Sequence, residues 1–150
     1  MIVLKKFIAS LVAVMTMCAI MVPTVSASTV QNRALSSTST SGYFSAGSST
    51  FLPGTSTVTS YDGKYYVYLS SYQFDSMPAN ARPYNAYIML QAYTTNHMAA
   101  AGQAASFSVT GCGYDYYYNS GYGGVGQTYC LKAWSTYTSL GASVSVVWEA

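Results

Sequence analysis

Ala86-Tyr87-Ile88-Met89-Leu90-Gln91-Ala92-Tyr93 is the stretch that decides the fold. Successive side chains of an extended chain point to opposite faces. Ala86, Ile88, Leu90 and Ala92 therefore fall on one side, and Tyr87, Met89, Gln91 and Tyr93 on the other. An aliphatic face backed by an amphipathic one marks a strand that covers a core on one side only. The same two-residue period recurs in both directions. Towards the N-terminus, Val67 and Leu69 alternate with Tyr66, Tyr68 and Tyr72. Towards the C-terminus, Phe107 and Val109 alternate with Ser108 and Thr110, and Tyr129, Leu131 and Ala133 with Cys130, Lys132 and Trp134. Val144, Val146 and Trp148 close the series against Ser143, Ser145 and Glu149. Asp62-Gly63 lies between two such runs and reads as a type I′ hairpin turn. Residues 97–105 are alanine-rich but broken by Gly102, leaving room for one helical turn at most.

Six to eight short antiparallel strands predict an all-β domain, an antiparallel β-sandwich or jelly roll, with a small closed β-barrel as the alternative. Residues 42–150 suffice for one core and are too few for two. Residues 28–41 are rich in Ser and Thr without a usable period and read as a disordered linker.

The N-terminus carries an address. Lys5 and Lys6 precede an apolar run over residues 7–22, and Val25-Ser26-Ala27 places small residues where a signal peptidase cuts, after Ala27. A membrane anchor would need roughly 20 apolar residues, and Thr16 and Pro23 interrupt this run. Met17 before Cys18 is too large for a lipoprotein site. Residues 1–27 thus read as a signal peptide, and the protein as secreted, with no integral span after cleavage. Removal of the two lysines leaves Arg33, Lys64, Arg82 and Lys132 against Asp62, Asp75, Asp115 and Glu149, a formally neutral chain. Such a balance argues against nucleic acid and anionic lipid as partners.

Cys112 and Cys130 are then the two remaining cysteines, in a compartment where disulfides persist. A bond across the loop of about 17 residues between them would add about 3 kcal/mol. Counting parity from Phe107 and Val109 puts position 112 on the outer face. Counting from Leu131 and Ala133 puts 130 there too, so the two would meet on neighbouring strands. Two thiols without a histidine or acidic cluster make a poor zinc site, so no metal or cofactor is expected.

That bond would clamp residues 113–127, where five tyrosines and five glycines lie in 15 residues. Tyr114, Asp115, Tyr116, Tyr117, Tyr118, Asn119 and Tyr122 are the candidate ligand-binding residues. Tyrosine gives binding loops a flat ring and a hydroxyl at low conformational cost, a combination suited to sugars. Tyr114, Tyr116 and Tyr118 also alternate with Asp115, Tyr117 and Asn119, as they would in a hairpin turning at residues 119–124. A second candidate is an outer sheet face bearing Tyr66, Tyr68, Tyr72, Tyr87 and Tyr93. Catalytic chemistry is thinly supplied. His97 is the one histidine, no G-x-S-x-G motif occurs, and four carboxylates are all that a glycosidase pair could draw on. The chain reads as a non-enzyme.

Val125-Gly126-Gln127-Thr128-Tyr129-Cys130-Leu131-Lys132-Ala133 and the final Val144-Ser145-Val146-Val147-Trp148 resemble the C-terminal strands of small uncharacterised secreted β-sandwich proteins of Gram-positive bacteria. The resemblance implies a way of closing a sandwich and carries no catalytic residue. Three functions follow in order. The first is a secreted binding module for carbohydrate or cell-wall polymer, and the second a structural or interaction protein of the cell surface. The third is a secreted toxin or bacteriocin-like protein inserting an amphipathic hairpin.

Overall fold

The computed structural model describes residues 37–60 and 62–150; the signal segment and most of the Ser/Thr-rich stretch lie outside the described residues. The described residues form nine strands: β1 (Thr38–Phe44), β2 (Ser49–Phe51), β3 (Ser56–Thr57), β4 (Lys64–Phe74), β5 (Ile88–Thr94), β6 (Ala105–Phe107), β7 (Cys112–Tyr117), β8 (Thr128–Ser135) and β9 (Ala142–Glu149). The first sheet has the order β1-β9-β4-β7, and the second β2-β8-β5-β6 with β3 also pairing β8. All the pairings are antiparallel. The protein is an all-β sandwich. Its strand count exceeds the expected range because β2 and β3 are three and two residues long, too short to leave a period in the sequence.

The alternating apolar positions pack between the sheets. Ile88, Leu90 and Ala92 of β5 and Leu131 and Ala133 of β8 are buried on one side, facing Val67, Leu69, Val144, Val146 and Trp148. Trp148 is 0 % exposed, and its indole N–H has no hydrogen-bond partner, so it contributes apolar bulk alone. β4 carries the one break in period: its pairing with β9 shifts between Leu69 and Ser71. The extra residue moves the inward set from Tyr65, Val67 and Leu69 to Tyr72 and Phe74, which are buried. Tyr72 therefore leaves the face of Tyr66 and Tyr68, where simple alternation had put it.

Two further expectations shift. β1 begins at Thr38, inside the stretch read as linker. Thr40 and Phe44 face the core, and the Thr40 hydroxyl donates to Pro53 O at 2.6 Å, so a residue counted as polar fills an inward site. Asp62-Gly63 does turn the chain, with Gly63 at φ 67°, but β3 and β4 belong to different sheets and form no hairpin. Truncating a central inward side chain, Leu131→Ala, is expected to lower unfolding free energy by about 3 kcal/mol. Trp134→Ala, on the outward side of the same strand, should cost clearly less. Urea unfolding of the two variants checks the contrast.

Candidate functional site

The tyrosine-rich segment is divided between two tasks. Its first half is β7, an edge strand paired to β4 from Leu69↔Cys112 to Lys64↔Tyr117. Directly paired residues share a face. Cys112, Tyr114 and Tyr116 thus point the same way as buried Leu69, Val67 and Tyr65, whereas Asp115 and Tyr117 point outward beside Tyr66 and Lys64. Tyr116 lies 5.8 Å from the Tyr65 ring, Tyr118 lies 5.4 Å from Tyr65 and 4.9 Å from Tyr129, and Tyr122 lies 6.4 Å from Tyr129. These rings plug one end of the sandwich. Burial pushes the Tyr65 and Tyr118 hydroxyls well above the ordinary phenol range and raises that of Tyr116. Tyr65 donates to Gln103 O, while the buried Tyr118 hydroxyl has no partner. Asn119 ties down the next turn, its backbone N–H donating to Ala101 O at 2.8 Å and its Nδ2 to Ala100 O at 3.0 Å.

Of the seven candidate residues, Tyr114, Asp115, Tyr117 and Asn119 are exposed, Tyr114 by 56 % and Tyr117 by 55 %. They do not converge, since Tyr114 leans toward Phe107, at 6.3 Å, Asp115 and Tyr117 sit on the opposite face of β7, and the Asn119 amide is turned onto Ala100 O. The second candidate face disperses as well. Tyr66 and Tyr68 are on the outer side of the first sheet, Tyr72 is in the core, and Tyr93 is on the second sheet.

The expected disulfide is absent, and both thiols are free. Cys112 belongs to the first sheet and Cys130 to the second. Cys112 Sγ faces Val109 O at 3.5 Å; Cys130 Sγ donates to Thr94 O at 3.3 Å. Parity failed because the chain leaves the second sheet after Phe107 and turns through Gly111, at φ 74°, before β7 begins. That crossing resets which face a given position occupies. Cys112 points inward, Cys130 outward.

The residues that do converge lie on the outer face of the second sheet. The outward set of β5 is Met89, Gln91 and Tyr93, and that of β8 is Cys130, Lys132 and Trp134, in the register Met89↔Trp134, Gln91↔Lys132 and Tyr93↔Cys130. β2 adds Ser49 opposite Trp134 and Phe51 opposite Lys132. The Lys132 ammonium sits 5.0 Å from the Tyr93 ring centre, 5.7 Å from Phe51 and 6.0 Å from Trp134, within reach of all three quadrupoles. Phe51 meets Tyr93 edge-on at 5.4 Å and stacks on His97 at 3.8 Å. The turn after β5 presents His97 at φ 63°, held by its N–H donating to Thr94 O at 2.8 Å. Gln91 Nε2 donates to Gly102 O at 2.7 Å, which fixes the amide and leaves its carbonyl oxygen as an acceptor. A pocket of about 340 Å³ is lined by Gln91, Tyr93, Lys132 and Trp134 together with Ser48, Ser49 and Thr138.

Sequence reasoning singled out Tyr93 of this site, in its second candidate face, and passed over the rest. Lys132 and Trp134 were visible as the outward partners of Leu131 and Ala133, an i, i+2 pair of cation and indole on one strand. What brings Phe51 and His97 to them is strand register and a turn, neither of which has a local signature. Among the described residues, no three His, Cys, Asp or Glu side chains lie close enough to hold a metal ion.

Free thiols on opposite sheets predict that a reducing agent leaves the urea midpoint unchanged and that both cysteines react with a thiol reagent once the chain is unfolded. Loss of about 3 kcal/mol on reduction would instead reveal the bond. No protein-family model matches the chain, and no curated protein matches it.

Proposed function

We propose that the protein is a non-catalytic glycan-binding module acting outside the cell, with its site on the outer face of the second sheet. One observation carries the reading: Tyr93, Phe51 and Trp134 surround Lys132 beside a pocket whose other walls are amide and hydroxyl groups. The C–H face of a sugar ring packs on an aromatic ring, and its hydroxyls exchange hydrogen bonds with Gln91, Ser48, Ser49 and Thr138. The three rings, Gln91 and Ser49 stand on paired strands, with Ser48 and Thr138 in the adjoining turns, so binding orders little that is not already fixed. The signal-like N-terminus, Lys5 to Ala27, supports action at a cell wall or on an extracellular polymer.

A second reading, a surface interaction protein, is favoured by the exposed Tyr114 and Tyr117 on edge strand β7, whose outer edge is a template for another strand. Titration with a panel of cell-wall and plant polysaccharides separates the two. The chain has two tryptophans, and Trp148 is sealed in the core, so a ligand in the pocket should perturb Trp134 emission alone. Trp134→Ala and Tyr93→Ala should each weaken binding about tenfold or more, since stacked aromatics are typical binding hot spots. Tyr114→Ala and Tyr117→Ala should leave it intact. A panel with no binder, together with concentration-dependent self-association abolished by the Tyr114 and Tyr117 changes, would replace the glycan reading with the second.

A further inference from the structure

The pocket also holds a charge that no described carboxylate neutralises. Among the described residues Lys132 makes no ion pair; its neighbours are three rings, which attract the ammonium without cancelling it. The chain's carboxylates are elsewhere. Asp115 and Glu149 lie on the outer face of the first sheet, opposite Tyr66 in the β7 and β9 registers. Asp75 accepts a hydrogen bond from the Tyr43 hydroxyl at 2.9 Å, and Asp62 accepts from Lys64 N at 3.2 Å in the turn before β4. The two other described cations are on different surfaces: Arg82 donates to Ala86 O at 2.9 Å and sits over the Tyr87 ring, and the Lys64 ammonium lies 5.1 Å from the single ring of Tyr117 on the first sheet.

Lys132 is therefore a half-buried cation at the centre of a concave aromatic and hydroxyl surface, with its rings restricting where it can go. We infer that the ligand is an acidic glycan, in which an anionic oxygen pair on a sugar or polyol unit meets Lys132 while the unit's C–H face rests on Trp134 or Tyr93. This deepens the glycan reading and rests on it. Two sources share the chemistry, the carboxylate of a uronic acid and the phosphate of a polyol-phosphate polymer. Rings that shield the ammonium from bulk water strengthen a charge-assisted contact made there.

The test uses the purified full chain and three probes: a galacturonic acid oligomer, its methyl ester, and a ribitol phosphate oligomer. The ester keeps the sugar faces and hydroxyls and loses the charge. At least one anionic probe should bind about tenfold tighter than the ester, a ratio worth about 1.4 kcal/mol. Whichever anion is preferred identifies the source. Added salt should narrow the gap. Lys132→Gln should abolish the preference for the anionic probe over the ester, while Lys132→Arg keeps it. Should Lys132→Gln fail to fold, the ratio in the unaltered protein and its salt dependence still decide. Equal affinity of acid, phosphate and ester would overturn the inference and leave a glycan module that is blind to charge. If no probe and no neutral polysaccharide binds, the glycan reading falls and takes the inference with it.

Discussion

Face-to-face packing of two apolar sheet surfaces is the constraint on which everything else in this molecule rests. Among the described strands, only β5 and β6 are consecutive in the chain and paired with each other. Every other strand finds its partners far along the sequence, so no local hairpin can hold the assembly while the rest forms. The strands are aligned by burying Val67, Leu69, Ile88, Leu90, Leu131, Val144, Val146 and Trp148 against one another. The ladders satisfy the backbone once that burial has brought them together, since an unpaired buried N–H or C=O is costly. The termini of the sheets are closed in the same spirit: Tyr65, Tyr118, Tyr122 and Tyr129 fill one end with rings, and Ala150 N–H donates to the Ser56 hydroxyl at 2.9 Å.

A small irregularity shows how tightly this constraint acts. One extra residue between Leu69 and Ser71 lets an eleven-residue strand keep apolar or aromatic side chains inward along its whole length. Without it, Tyr72 and Phe74 would face water and Ser71 and Gln73 the core. The chain's many tyrosines fall into three populations, and the bulge moves Tyr72 from the first of them to the second. Some cover the first sheet, some seal the core, and Tyr93 belongs to the second sheet. A tyrosine-rich composition therefore produces no single tyrosine surface.

The outer faces are what the core leaves available. Because inward positions are fixed by packing, each strand offers its alternate positions to solvent at a spacing set by the pleat and the distance between strands. On the first sheet those positions hold Ser, Tyr and both signs of charge. On the second they hold Trp134, Tyr93, Phe51, Gln91 and a single Lys132, gathered by the pairing of β2 and β5 on either side of β8. A rigid floor of this kind positions groups more accurately than a long loop, which is why the candidate site belongs here and not in the tyrosine-rich connection.

How much of this was readable along the chain follows from the range of each interaction. Alternation at Ala86–Ala92, Tyr129–Ala133 and Val144–Trp148 identified the strands and their inward residues, because the pleat has a period of two and burial enforces it locally. Strand edges were less legible where Thr38 and Thr40 serve as inward residues and where β2 and β3 are too short to show a period. Sheet membership was not legible at all. Gly111 carries the chain from one sheet to the other, and with that crossing the predicted meeting of Cys112 and Cys130 disappears. The same non-local choice unites Phe51, Tyr93, Lys132 and Trp134, residues from three strands whose separation in sequence says nothing about their register. The sequence by itself determined an all-β chain and the buried face of its long regular strands, β5, β8 and β9, since those depend on neighbours one or two residues away. Only the tertiary structure decided which outward faces lie side by side, because that depends on hydrogen-bonded pairing between strands distant in the chain.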